Sequence, residues 1–256
     1  TELVRPDTDV TPDAGKTSAS RQTFVSGNAA RLSSEALRAQ ILRRANAGAD
    51  AVILATEGLS VIDNGRHQRV DFGPPDAEGY VLRAEETYDP PTDPLDENGQ
   101  GVPYAVFGYA AHMVELAVDM ALGTVKLTKF TAAHDVGRAI NPLLVEGQVE
   151  GGIAQGMGMA LMETYVPGRT ENLHDYLIPT IGDMPPVETI IVEEADAHGP
   201  YGAKGLGEHV LIPTAPAILN AIRHATGARI TEVPATPDRV RTAIKAAEAA
   251  SKGAAP

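Results

Sequence analysis

The densest chemistry in the chain lies in Gly199–Glu208, which reads Gly-Pro-Tyr-Gly-Ala-Lys-Gly-Leu-Gly-Glu. Glycines surround Lys204, and Glu208 closes the run. Glycine admits backbone approaches that a Cβ blocks, so such a run can cradle an anion or a bulky cofactor. A carboxylate at the edge of that cradle is placed to accept a proton. The run is not a Walker A loop, because no Gly-Lys-Ser/Thr follows at the required spacing, and it does not satisfy a dinucleotide fingerprint. Read by itself, it is equally a tight turn entering a helix, with Glu208 an N-terminal acid favoured by the helix dipole.

Three further clusters carry polar chemistry. Gly151-Gly152-Ile153-Ala154-Gln155-Gly156-Met157-Gly158 places an amide among glycines. Gln155 offers donors and an acceptor to a ligand rich in ring nitrogens and oxo groups, or the stretch is a glycine-lined contact between helices. Thr17–Arg21 supplies hydroxyls, backbone amides and a guanidinium, in what reads locally as a loop. His134-Asp135 resembles a catalytic pair on paper but reads better as a structural turn. No metal-ligand spacing relates His112, His174, His198 and His209, which argues against a zinc site. Glu85-Glu86, Glu115 and Glu193-Glu194 read as solvated faces.

These residues need elements to position them. The chain through Asn28 is rich in Thr, Ser, Asp and Gly and reads as a loop. A helix is expected from about Ser33 to about Ala47, capped by Ser33 or Ser34, with Leu37, Ile41 and Ala45 on one face. Ala51–Leu54, Leu59–Ile62 and Tyr80–Thr87 suit strands. Asp89–Val102, with its prolines and acids, reads as a surface loop. Strands are expected over Ala105–Val118 and Thr124–Ala133, joined near Gly123, and over Val187–Glu193. Leu143–Tyr165 has helical periodicity despite five glycines, each costing roughly 1 kcal/mol in a helix interior, which implies close packing against a neighbouring backbone or a cofactor. Helices are expected over Ile212–Ala225 and Asp238–Ala250. Without a regular βαβ beat, the fold class is α+β, mixed sheets with packed helices. Two intertwined subdomains are expected, about 1–135 and 136–256.

Composition narrows the chemistry. A length of 256 residues with 43% apolar content allows a sizeable core. The net charge of −13 argues against nucleic acid or anionic lipid as a partner. No apolar run is long enough to span a membrane, and the amino end has no signal-peptide core, so a cytoplasmic location is expected. The chain has no cysteine; any iron–sulfur cluster it serves is therefore ligated elsewhere.

In order along the chain, these clusters resemble the carboxyl-terminal part of the molybdenum-binding subunit of the xanthine dehydrogenase and aldehyde oxidase family. Asp9-Val10-Thr11-Pro12 leads into Thr17-Ser18-Ala19-Ser20-Arg21-Gln22. His134-Asp135-Val136-Gly137 follows with Asn141-Pro142, then Gly147-Gln148-Val149-Glu150-Gly151 with Gln155-Gly156-Met157-Gly158. Gly202-Ala203-Lys204-Gly205-Leu206-Gly207-Glu208 precedes Pro234-Ala235-Thr236-Pro237. The resemblance spans nearly the whole chain.

The resemblance implies a molybdenum hydroxylase whose metal sits on a pterin dithiolene. The glutamate matching Glu208 takes the proton from a metal-bound hydroxyl, whose oxygen attacks an electron-poor carbon of the substrate. Ser18, Ala19, Ser20 and Arg21 match a segment beside the pterin and the metal. Gln155, Gly156 and Gly158 match pterin-lining positions, and Ala203, Lys204 and Gly205 match positions that help hold it. The implied cofactor is a molybdenum-pterin, of the molybdopterin cytosine dinucleotide type in bacterial members, shared with a partner chain. The 2Fe–2S clusters and FAD belong to iron–sulfur and flavin subunits. The chain begins at a point well inside the family's molybdenum subunit, which implies one half of a split subunit, as in some nicotinate hydroxylases, or a processed fragment. His209 stands where relatives often have a proline or small residue. The expected reaction is hydroxylation of a small N-heteroaromatic substrate of purine or nicotinate type. The alternatives are aldehyde oxidation and a non-catalytic structural or assembly subunit; retention of Glu208 argues against the last.

Overall fold

The computed structural model describes residues 7–55 and 58–253, so only the first six residues of the amino end read above lie outside the described residues. Contacts gather the chain into two units. One contains Gln22–Pro103 and the segment preceding Lys16; the other contains Lys16–Arg21 and everything from Tyr104. The break therefore falls at 103/104 and not at about 135/136. The expected boundary would detach a strand ending at Asp135 from Val187–Val192, with which it pairs through Val192.

In the first unit, a π-helical turn over Gln22–Ser26 runs into α1 (Gly27–Arg44). The helix starts earlier than expected because Ser33 and Ser34 do not cap it. Their hydroxyls donate to the carbonyls of Ala29 and Ala30, one turn back. The expected apolar face is real: Ile41 and Ala45 are buried, and Leu37 packs beside them against Ala51, Val61 and Val70. Those last residues belong to or flank an antiparallel meander of β1 (Val52–Leu54), β2 (Ser60–Asp63) and β3 (Arg66–Arg69). The polar β3 was not expected. It returns through Asn64-Gly65, both with positive φ, the two-residue turn that suits strand twist. Tyr80–Thr87 forms no strand. Asp76 turns the chain by accepting the Tyr80 N–H, and Gln40 on α1 donates to the Arg83 carbonyl.

The second unit is built on a sheet in the order β4 (Ala110–Val118), β5 (Val125–Asp135), β6 (Val187–Val192). β4 and β5 are antiparallel, while β5 and β6 are parallel. Gly123 makes the connecting turn at φ 77°, and a Cβ there would strike the Pro237 carbonyl. Helices α2 (Pro142–Leu161), α3 (Thr214–Thr226) and α4 (Pro237–Gly253) share a core with the sheet, including Phe130, Ile153, Ile218, Ile222 and Ile244. Asn141 caps α2 by accepting the Leu144 N–H, with Pro142 in the first turn. Gly227, left-handed at φ 72°, ends α3. The fold is α+β. Among the described residues, no helix is long and apolar enough to cross a membrane.

Candidate functional site

The glycine-rich run begins on the end of β5. Gly202 accepts the Arg138 N–H at 2.9 Å, and the Lys204 N–H donates to Val136 at 2.9 Å. Gly137 is required there, because a Cβ would come within 2.2 Å of the Gly202 carbonyl oxygen. A short 3-10 turn over Pro200–Gly202 then gives way to extended backbone at Ala203. Lys204 turns inward: its Nζ donates to Asp135 Oδ2 at 2.6 Å, and both side chains are only 8% exposed.

Beyond Lys204 the run meets the Lys16–Arg21 loop. A Cβ on Gly205 would lie 1.8 Å from the Ser20 carbonyl oxygen, so only glycine fits this approach. The Glu208 N–H donates to Ser20 Oγ at 2.8 Å, and Glu208 Oε1 accepts the Ala19 N–H at 3.1 Å. Ala19 and Ser20 sit at φ 56° and 50°, a conformation costing on the order of 1–3 kcal/mol per residue unless its surroundings impose it. The loop is closed by Arg21, whose Nη1 donates to the Lys16 carbonyl, and by the Arg21 N–H, which donates to the Ser18 carbonyl. The product is an exposed carboxylate held from both its backbone and its side chain.

The expected site residues divide. Ser18, Ala19, Ser20 and Arg21 come together with Gly205 and Glu208. Ala203 and Lys204 belong to the same run but face the protein. Ala203 is buried, its N–H donates to Pro200, and the Lys204 ammonium and N–H are both engaged within the chain. On α2, Gly156 and Gly158 are in-chain packing positions. A Cβ on Gly156 would reach 2.5 Å from Thr214 of α3, and one on Gly158 would reach 2.0 Å from Glu163. Gly152 is likewise pressed against Val210, so the glycines let α2 approach the chain entering α3. Gln155 on the same helix is exposed, and its amide has no hydrogen-bond partner among the described residues.

Behind the run lies a histidine cluster that sequence spacing did not reveal. His112 Nε2 and His134 Nε2 are 2.7 Å apart, and His112 Nδ1 lies 3.2 Å from Thr214 Oγ1. His209 stacks obliquely near His134, with ring centroids 5.4 Å apart. Its Nε2 is buried without a partner, as is His134 Nδ1. Burial, then the neighbouring histidines, pushes His134 down to about 4. Burial, then His209, takes His112 to about 4, and burial also lowers His209. The one available signal was β-strand register, which pairs Ala110 with His134 and so brings His112, two residues on, beside it. No three His, Asp or Glu groups among the described residues are arranged to hold a metal ion. His134-Asp135, read from the sequence as a turn, instead ends strand β5.

Comparison with known proteins bears on this geometry. Residues 2–185 match the molybdopterin cofactor-binding domain model, which leaves Glu208 beyond the matched span. The xanthine dehydrogenase molybdenum-binding subunit of Escherichia coli O157:H7 is 34% identical over 252 residues, covering 91% of this chain and 32% of that protein. The 6-hydroxypseudooxynicotine dehydrogenase complex subunit gamma of Paenarthrobacter nicotinovorans is 31% identical over 255 residues, covering 93% and 31%. The crystal structure of the aldehyde oxidoreductase from Desulfovibrio desulfuricans superposes with a TM-score of 0.75 at 32% identity, covering 91% of this chain and 24% of that one. The chain thus spans about a third or less of the length of these relatives.

Proposed function

Because the chain belongs to the molybdopterin cofactor-binding domain family, we propose that it is the base-bearing component of a molybdenum hydroxylase, with Glu208 the general base. The observation that carries this reading is the Glu208 carboxylate, exposed yet fixed by the Ala19 N–H on one oxygen. A proton acceptor needs an open carboxylate oxygen held in one orientation. The Ser20 hydroxyl, accepting the Glu208 N–H, fixes the backbone from which that carboxylate projects.

The donors present suit the family's cofactor. The exposed Gln155 amide, the Ser18 and Ser20 hydroxyls and the Arg21 guanidinium are the donor types that a pterin with an anionic tail needs. We assign the holding of the molybdenum-pterin to these residues and to the Ala19 and Gly205 backbone, and not to the inward-facing Lys204, Ala203, Gly156 and Gly158. When bound, the group supplies the two-electron oxidation and the oxygen transfer. This chain contributes the proton acceptor and the loop that aims it.

The reaction proposed is hydroxylation of an N-heteroaromatic compound of purine or nicotinate type, with aldehyde oxidation as the second reading. The relatives support both: xanthine and 6-hydroxypseudooxynicotine dehydrogenases on one side, aldehyde oxidoreductase on the other. Partner protein is part of the proposal: a second molybdenum-subunit chain, with iron–sulfur and flavin subunits. Large apolar side chains such as Ile181 (96% exposed) and Leu143 (74%) support packing against further protein. Of the possible cofactor forms, we propose the cytosine dinucleotide.

The test is Glu208→Gln in the purified complex. Turnover should fall by at least 100-fold, in the range for loss of a general base, with molybdenum content unchanged by metal analysis. Activity like the wild type at equal metal content would sink the assignment.

A further inference from the structure

Resting on the reading of Glu208 as the base, we propose that Asp135 is a positioning residue that clamps the Lys204 end of the Lys204–His209 loop, whose other end is packed against His134, and so holds the Glu208 carboxylate against Ala19. At the first end, the Asp135 carboxylate binds the Lys204 ammonium at 2.6 Å, while the Lys204 N–H is tied to the adjacent Val136 carbonyl. At the other end, the His209 ring lies 5.4 Å from the His134 ring and sits beneath Gly108. A Cβ on Gly108 would come within 3.1 Å of that ring.

Asp135 is itself immobile. It is 7% exposed, its N–H donates to Tyr109 at 2.8 Å, and its Oδ1 accepts the Gly137 N–H at 3.0 Å. Between the two anchors lie Gly205, Leu206, Gly207 and Glu208. Leu206 enters the core, but the glycines on either side of it leave the backbone free to rotate. Anchored at one end only, that segment carries Glu208 through many orientations; anchored at both, it presents one. A buried ion pair seldom adds net stability, and its best-attested service is to fix register. Here the register fixed is that of the base.

The test uses the purified complex and the double variant Asp135→Asn/Lys204→Met. It removes both charges without orphaning either, and it keeps an acceptor for the Gly137 N–H. Hydrogen exchange followed by mass spectrometry reads the Ala19 and Glu208 amides directly, independently of turnover. Steady-state oxidation of xanthine, nicotinate or benzaldehyde, whichever the wild type oxidises fastest, separates kcat from KM. The clamp predicts at least a 10-fold loss of protection at those two amides. It also predicts a fall in kcat on the order of 100-fold with KM unchanged, the effect of misplacing a reacting group by about 1 Å. Lys204→Arg, which keeps the pair, should retain both properties.

Wild-type protection and kcat in the double variant overturn the clamp. A fall in kcat matched by an equal loss of melting temperature and molybdenum also overturns it, because that is a structural role alone. The base reading is tested separately. If Glu208→Gln is inactive while the double variant keeps wild-type exchange, the clamp fails and the base stands. If Glu208→Gln is active while the double variant loses protection, the base fails and the clamp stands.

Discussion

Glu208 is one of 34 acidic side chains, and what distinguishes it is the origin of its partner. The Ala19 amide on its Oε1 comes from 189 positions away, through a loop held at unfavourable φ. Exposed carboxylates such as Asp76 and Asp96 instead bind amides within four residues. The histidines behind Glu208 make a second prediction at this scale. The folded His112 and His134 rings take a proton only near pH 4, whereas in the unfolded chain they take it near 6.5. As pH falls, the unfolded state is therefore protonated first. The stability conferred by neutral rings is complete above about 6.5, declines through the window and is gone below about 4. For His134 alone, a shift of this size corresponds to on the order of 3 kcal/mol. Urea midpoints measured from pH 7 to 4 should fall steadily. A midpoint constant over that range would show that the rings are not buried neutral.

At the scale of elements, the contact between α2 and α3 depends on missing side chains. Gly156→Ala would drive a methyl into Thr214, whose backbone is fixed by α3. Overpacking of this kind costs typically 1–3 kcal/mol, against about 1 kcal/mol gained from helix propensity, so the net change should be destabilising. Gly151→Ala, with nothing within 4 Å of the added carbon, should instead stabilise by up to about 1 kcal/mol. Thermal melts of the pair check the contrast, and equal effects would mean that α2 and α3 do not approach as described. These glycines also show what was legible in the sequence. Periodicity announced α2, α3, α4 and the β4–β5 hairpin, because apolar spacing is local. The start of α1 was hidden because Ser33 and Ser34 can cap a helix or bond back within it, and only the fold decides between them. Glu208, Ser20 and Gly205 were legible as a motif, but the inward turn of Lys204 was not. Nothing in Gly-Ala-Lys-Gly says that a buried Asp135 awaits the ammonium.

For the whole molecule, a net charge of −13 coexists with large apolar side chains in the open: Tyr109 at 70%, Leu144 at 66% and Ile212 at 68% exposed. Charge of that size opposes self-association, while the apolar residues favour burial against other protein. Expressed alone, the chain should bind a hydrophobic dye such as ANS and retain little molybdenum. Adding the proposed partner chains should reverse both, as followed by dye fluorescence and metal analysis. A well-behaved monomer carrying stoichiometric cofactor by itself would refute the need for partner protein. The hydrogen bond between Ala19 and Glu208 also has a consequence in time. Its two ends are among the most distant residues in the chain to meet, and contacts of such separation form only after the intervening loop has closed. During synthesis the Ala19 end leaves the ribosome long before Glu208 is made. The Ala19–Glu208 contact therefore belongs late in folding, when the segments on which it rests already exist.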